Sequence, residues 1–476
     1  MRVERLVRGE SHSGVISATR CQHARESLSQ TEHDAMWCVS HENGVFCSQA
    51  PTDVTRAPQP VTPGYRRSGR RWGRVFVYAL LAAAMLETNG GTALAQAVDP
   101  RTSARLRLGS VYVTPTLEVR NIGVDTNVYN QNVEEPVKDF VLTAVPIFEA
   151  VIGPPAAGLS IRSETQLVYF ANQVSERSVN ELLTVSARGR FGRVSPSASL
   201  DYMNTRERLS FEIDARARHV ESRGAAGVSF AFTPKVSADV HSEVWQMKFN
   251  GDEVFDNYGL AAQLNRKSLA VGGGMSYRAT PLTTFLVLSD ISRIRFDEAS
   301  FRDTDTHETT VGVALNTRAL ISGTARIGYQ LFSPLDSSVP EFNGVVGAAS
   351  VSYRLRPSTS IGFTFDRRTD FSYIIVEPYY VLKSYGVSVR RQLPDQWFVE
   401  LKAARTAHNY LRLLRPDDDT KEGHEERLFD SGFSLGSAVG TRTRMTFDVG
   451  YLNRNSDFDE RGYSGLRFGL SMVYSF

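Results

Sequence analysis

The residue types needed for covalent chemistry come closest together at His241-Ser242-Glu243. A histidine that can take a serine proton, with a carboxylate to orient its ring, is the machinery of nucleophilic hydrolysis. On a β-strand, however, successive side chains point to opposite faces, so His241 and Ser242 cannot meet. No catalytic residue is assigned, and the chain is not expected to be an enzyme. Gly272, Gly273 and Gly274 lie inside a strand pattern, where glycines relieve crowding and do not cradle phosphate. Cys21, Cys38 and Cys47, with His23, His33 and His41 among them, lack the close spacing of tetrahedral metal sites. Acidic runs such as Asp252-Glu253, Asp303-Thr304-Asp305, Asp417-Asp418-Asp419 and Asp457-Phe458-Asp459-Glu460 offer oxygen ligands without the ligand order of a calcium loop, and are taken as solvated loop tips. No metal and no cofactor are expected. His307, His408 and His424 fall at or beside polar segments and are also expected in solvent.

What remains is a set of charged residues with a shared setting: Arg326, Arg354, Arg390, Arg444 and Arg467, with Asp366, Glu400 and Asp448. Each sits on the polar side of an alternating apolar stretch, as a side chain lining an aqueous lumen would. Meeting in one constriction, they would set up a field that orients dipolar solutes and leaves weak charge selectivity. Pairing with one another, they would simply fill the interior.

The elements that must hold these residues are strands. In the C-terminal stretch, Leu466, Phe468, Leu470, Met472, Tyr474 and Phe476 share one face, and Arg467, Gly469, Ser471, Val473 and Ser475 the other. Met445, Phe447, Val449 and Tyr451 oppose Arg444, Thr446, Asp448 and Gly450 in the same way, and the pattern recurs upstream at Ile361 to Asp366 and Ile327 to Gln330. Short Pro/Gly breaks, among them Gly153-Pro154-Pro155, Thr233-Pro234, Thr280-Pro281, Arg356-Pro357 and Leu393-Pro394, alternate with longer polar segments such as 125–138, 206–216, 370–378 and 453–462. Faces opposite the apolar rows carry Gly, Ser and Thr with few charges, unlike the solvated face of a sandwich. In hydrocarbon no water can satisfy a free backbone group, so such a sheet must close on itself. The expected fold is all-β: a closed antiparallel transmembrane β-barrel of about eighteen strands, with sixteen as the alternative, short periplasmic turns and longer extracellular loops. Tyr112, Tyr169, Phe170, Tyr329, Tyr353, Tyr380, Trp397 and Tyr451 are candidates for interfacial aromatic girdles.

Composition agrees once the chain is divided. Its 476 residues hold 54 Lys+Arg against 52 Asp+Glu, 41% hydrophobic residues and 3 Cys, too little net charge for an electrostatic nucleic-acid binder and too few thiols for a disulfide scaffold. Arg66, Arg67, Arg70, Arg71 and Arg74 precede the apolar run Val75 to Leu86, and Ala93-Leu94-Ala95 supplies the small residues of a cleavage site. Residues 61–95 are expected to be a signal peptide cut after Ala95, and 1–60 an unstructured leader outside the native product. Residues 96–110 would form a short periplasmic segment and 111–476 the barrel. The part after Ala95 has 43 Lys+Arg, 44 Asp+Glu and no cysteine, which suits export to an oxidising compartment.

Val111 to Arg120 runs into Gly123-Val124-Asp125-Thr126-Asn127-Val128-Tyr129-Asn130, and a second strand holds Val145-Pro146. This resembles the β-barrel porin-2 family of bacterial outer-membrane proteins, over residues 108 to 476. The resemblance implies a Gram-negative outer-membrane barrel, some of whose relatives accompany exopolysaccharide export; Thr126 stands where the family often has a second acid, against metal binding by that loop. Phe476, with Tyr474, resembles the terminal assembly signal of such barrels. Expected partners are outer-membrane lipid and lipopolysaccharide, the barrel-assembly machinery, and a polysaccharide or small-solute substrate. The expected function is a passive porin-like channel or the outer-membrane part of exopolysaccharide export; the alternatives are a structural or adhesive barrel with a plugged lumen that binds surface glycans and, behind it, a barrel-rim hydrolase.

Overall fold

The computed structural model describes residues 36–41, 44–49, 101, 104–414, 422–458 and 461–476. Eighteen antiparallel strands form one closed barrel. They are β1 (Val111–Asp125), β2 (Asp139–Ile152), β3 (Ala157–Phe170), β4 (Ser178–Gly189), β5 (Val194–Glu207) and β6 (Ala217–Ala231). Then come β7 (Val236–Phe249), β8 (Arg266–Thr280), β9 (Thr283–Phe296), β10 (Thr304–Leu315), β11 (Ile321–Pro334) and β12 (Phe342–Arg356). The wall is completed by β13 (Thr359–Phe371), β14 (Tyr379–Gln392), β15 (Trp397–Leu411), β16 (Glu422–Val439), β17 (Thr443–Ser456) and β18 (Tyr463–Ser475). Each strand pairs with the next, and β18 pairs back onto β1, with Phe468 opposite Val124 and Tyr474 opposite Leu117. A three-residue strand, Leu106–Leu108, adds to the start of β1. Within 1–60, expected without structure, Met36–His41 and Gly44–Gln49 pair as antiparallel strands; residues 61–95, expected to be a signal peptide, lie outside the described residues.

The alternation decides which way each side chain points. Val271, Met275, Phe285, Val287 and Ile291 are about half exposed on the outer wall, as are Phe468 and Leu470. A water-facing wall would hide such residues; here they form the surface that meets lipid. Of the expected girdle aromatics, Tyr169, Tyr329, Tyr353, Trp397 and Tyr451 are exposed on this surface, but Phe170 and Tyr380 are each 2% exposed and point inward. Parity explains the exceptions, since Phe170 adjoins Tyr169 on the strand and must take the other face.

The two ends of the barrel differ. One end carries turns as short as residues 281–282 and 357–358; the other carries loops 1 to 9, of which loop 1 (126–138), loop 3 (208–216), loop 4 (250–265), loop 7 (372–378) and loop 9 (457–462) matter most below. Among the described residues of the barrel, helical structure is confined to single turns and the five-residue α1 (Leu260–Leu264) of loop 4. Substituting Lys for Leu470, which faces lipid, should cost about 2–4 kcal/mol in refolding titrations into bilayers, whereas Ser471→Lys, whose side chain points inward toward Asp448, should be nearly neutral.

Candidate functional site

The stretch Asp125 to Asn130 stitches the barrel shut. Asp125 accepts a hydrogen bond from the Asn127 backbone N–H (2.9 Å) and pairs with Arg467 of β18 through its other oxygen (2.9 Å). Asn127 Nδ2 donates to the Ser464 carbonyl (2.9 Å), and Thr126 and Leu466 exchange two further bonds across the same seam (3.0 and 2.9 Å). Gly123 is needed here because β1 bulges between Arg120 and Gly123, and a Cβ at Gly123 would lie 1.9 Å from the Phe468 carbonyl oxygen. Val128, buried against Val141 and Phe170, anchors the start of loop 1 to the inner wall.

Loop 3 leaves the wall and crosses the lumen. Its residues Arg208, Phe211, Glu212, Ile213, Asp214 and Ala215 are all buried. Asn130 Nδ2 of loop 1 donates to Asp214 Oδ1 (2.9 Å), and Arg208 of loop 3 itself is ion-paired with the same oxygen (2.9 Å). Arg454 of β17, six strands from the start of loop 3, donates to Asp214 Oδ2 (3.1 Å) and to Glu426 of β16 (2.6 Å). Asp214, Arg454 and Glu426 are at most 2% exposed, so these charges are held by one another and not by water. Ile213 and Ala215 pack with Trp245, Met247 and Phe249 of β7, with Leu260 and Leu264 of α1 and with Tyr373 of loop 7 in an apolar core inside the barrel. Ser372 donates to Glu212 (2.6 Å), and Arg461 of loop 9 donates to the Glu212 carbonyl (2.9 Å). Arg302, fully buried in the 3-10 turn Ser300–Arg302, donates to the carbonyls of Gln263 in loop 4 (2.8 Å) and Ile374 in loop 7 (3.0 Å). The loops thus lock together as a lid over the end of the lumen.

Two histidines expected in solvent belong to this lid. His408 is 1% exposed, stacked between Phe211 (3.8 Å) and Tyr380 (4.0 Å). His424 stacks on Tyr410 (3.9 Å), and its Nδ1 meets Glu377 of loop 7 at 2.6 Å. Both lie on inward positions where loops fold over the strand ends, so being near a loop did not make them solvated. His307 is exposed, as expected. The acidic tips are put to structural use: Asp303 accepts from the Phe296 N–H (2.8 Å) and Glu253 from the Arg218 N–H (2.8 Å). Asp417, Asp418, Asp419, Asp459 and Glu460 lie outside the described residues.

The charges expected in the lumen all occupy inward positions but do not meet in one constriction. Arg390 pairs with Glu400 across adjacent strands (3.1 Å) and lies over the Phe398 ring (3.8 Å). Asp366 pairs with Arg368 two residues along β13. Asp448 accepts from Ser434 (2.6 Å) and Ser471 (3.2 Å), and Arg354 donates to the Thr317 carbonyl (3.2 Å). Arg326 faces inward on β11, and Arg444 at the short-turn end of β17. Phe476 is half exposed at the end of β18, its ring 4.8 Å from that of Tyr474. His241 points inward between Asp239 (3.1 Å) and Asp290 (2.8 Å), while Ser242 is exposed on the outer face. Both ring nitrogens are thus engaged by carboxylates on the inner face, on the opposite side of the wall from Ser242. Gly272 makes room for this pair, since a Cβ there would sit 1.9 Å from the Asp290 oxygen.

Sequence reasoning passed over Asp214, Arg454, Glu426 and Glu212. A signal existed: Phe211, Ile213 and Ala215 alternate with charged or polar residues inside a stretch taken as an outer loop, and apolar residues at that spacing need cover.

The family model described as Putative beta-barrel porin 2 matches residues 99–476. The chain belongs to that family, and it is an outer-membrane, porin-like β-barrel. No curated protein matches the sequence. Among solved structures it is similar to OccK3 (OpdO) of Pseudomonas aeruginosa, with 12% identity over 76% of this chain and 95% of that one at a TM-score of 0.41. It is also similar to OpdK of the same organism, with 10% identity over 78% and 100% at 0.43. A BenF-like porin of Pseudomonas fluorescens Pf-5 matches with 8% identity over 78% and 99% at 0.45. No residue role is carried over from them. In outer-membrane barrels the short turns face the periplasm and the loops face outward.

Burial pushes the Glu212 carboxyl up to about 7 from its ordinary 4.5, against the lowering effects of Ser372 and Arg461 and with Glu426 and Asp370 adding to the rise. An acid whose pKa is raised on packing binds its extra proton only in the packed lid. Lid stability is therefore highest below the ordinary value, falls as pH rises toward 7 and levels off above it. Hydrogen exchange of the amides of 209–215, corrected for intrinsic rate, should lose protection between about pH 5 and pH 8, and Glu212→Gln should flatten that dependence.

Proposed function

We propose that the protein is a channel for small hydrophilic solutes that rests with its outer mouth closed by loop 3. The observation that carries this reading is the span of that loop: it leaves the wall between β5 and β6, Asp214 is held by Asn130 of loop 1 and Arg454 of β17, and Phe211 stacks on His408 of β15. Barrels of this strand number leave room for an aqueous channel, so the closure here comes from the loops and not from the wall. Below the lid the inward positions are largely Gly, Ser, Thr and charged residues, a surface suited to water and polar solutes. Passage requires loop 3 to move, and its attachments are ion pairs and hydrogen bonds that can exchange partners with water once opened.

Passage of a polysaccharide chain would need the same loops displaced further, and the interlocking of loops 3, 4, 7 and 9 counts against it as the resting function. That interlocking is also what favours the second reading, a barrel whose plugged lumen serves structure or surface adhesion. Planar-bilayer recordings separate the two. The native protein should give rare, brief openings; Arg454→Ala should raise the open fraction severalfold; replacing 209–215 with a Gly/Ser linker should give a steady current. Absence of current in all three would turn the assignment to the plugged barrel.

A further inference from the structure

Charge along the barrel axis is sorted by end. The last three residues of every strand at the short-turn end include Arg188, Arg278, Arg354, Arg390 and Arg444 on inward positions, and Arg356 and Arg391 outside them. None of those positions on any of the eighteen strands is Asp or Glu. The turns add Arg190, Arg193, Lys235, Arg318 and Arg442 against Asp395 alone. Yet the barrel region 111–476 as a whole carries 40 Lys+Arg and 43 Asp+Glu, so the cations at this end are balanced by carboxylates elsewhere. The inward arginines stand on β4, β8, β12, β14 and β17, around the mouth rather than on one side of it, and within about 10 Å of the turns along each strand. They are half-buried, not sealed like Arg454 and Arg302 at the other end. Hydroxyls line the next layer, where Ser160 meets Ser186 and Ser237 meets Ser276, both at 2.6 Å. Carboxylates enter singly at the inner edge of the basic zone, where Glu400 pairs with Arg390 (3.1 Å) and Glu149 with Arg162, and gather deeper at Asp239, Asp290, Glu308 and Asp366.

We infer that the short-turn end of the lumen is a vestibule that collects small anionic solutes, those bearing phosphate, sulfate or carboxylate groups, from the periplasmic side. A ring of like charges in a low-dielectric wall focuses its field into the opening, and the local concentration of counter-charged solute rises accordingly. Guanidinium groups and serine hydroxyls together supply the donors that phosphate or carboxylate oxygens accept. The inward placement selects a dissolved anion over a lipid headgroup, which meets the outer wall. The inference deepens the channel reading by naming the solute class and rests on the lumen being the solute's path.

The test needs no current, so it fails separately from that reading. Ser352 faces inward on β12, on the same face as Arg354. In Ser352→Cys protein, with the parent chain as blank for Cys21, Cys38 and Cys47, reaction rates are measured with two thiosulfonate reagents of equal size, one anionic (sulfonatoethyl) and one cationic (trimethylammonioethyl). The anionic reagent should be favoured by about tenfold relative to a free thiol, and the preference should shrink in high salt. Adding Arg354→Ser and Arg444→Ser should abolish most of it, while the Lys replacements at both positions should keep it; heat-modifiable gel migration verifies folding. No preference, no reaction with either reagent, or an equal loss from Arg193→Ser with Arg318→Ser on the turn surface would overturn the inference.

Discussion

The structure depends on one requirement of the membrane: a backbone N–H or C=O facing hydrocarbon without a partner costs several kcal/mol, so a transmembrane sheet has no permissible edge. Seventeen of the strand pairings join neighbours in sequence and are favoured by short connections; the last, β18 with β1, joins the two ends of the barrel region and has no such help. That is where the specific polar contacts concentrate. Asp125, Thr126 and Asn127 bond to Ser464, Leu466 and Arg467, and Gly123 allows β1 to bulge without striking Phe468. The motif that carries the family resemblance is therefore a closure device, and its Asn130 extends the same stretch to Asp214 of loop 3.

A closed wall of this size creates a second problem, because its own side chains do not fill the space it encloses. At the outer end the loops fill it, with an apolar core built from loops 3, 4 and 7 against β7 and a network of buried ions around Asp214, Arg454 and Glu426. Buried ion pairs are a poor source of net stability, since each charge has lost its water, but removing one partner strands the other at a cost of about 3–5 kcal/mol. Such a network holds one arrangement sharply while leaving a water-compatible alternative, which an all-apolar plug would not. At the short-turn end the inward positions carry arginines and, among the described residues, no such lid, so the two mouths present different chemistry to a solute.

Strand number, the positions of turns and loops, the outward apolar rows and the opposition of His241 and Ser242 were legible in the sequence, because a strand's period of two assigns each residue a face without reference to anything distant. The inward setting of Arg326, Arg354, Asp366, Arg390, Glu400, Arg444, Asp448 and Arg467 followed from the same parity. Their partners did not. Arg390 with Glu400 depends on the register of β14 and β15, and Arg467 with Asp125 on which strand closes the barrel. His408 and His424 were placed in solvent because position along the chain says a residue is near a loop and not whether that loop turns back over it.

What the sequence determined by itself was therefore the wall: local alternation, interrupted at regular places, is a property of neighbours and survives without tertiary information. What only the tertiary structure decided was the contents. Whether 208–216 extends outward or crosses the lumen depends on residues far along the chain, on Arg454 to hold Asp214, on Arg461 and Ser372 to hold Glu212, and on Trp245 and Tyr373 to cover Ile213. The ring of arginines at the short-turn end shows the same division. Each lies on a separate strand with nothing local to link it to the others, and closure of the sheet brings them around one opening where their fields add.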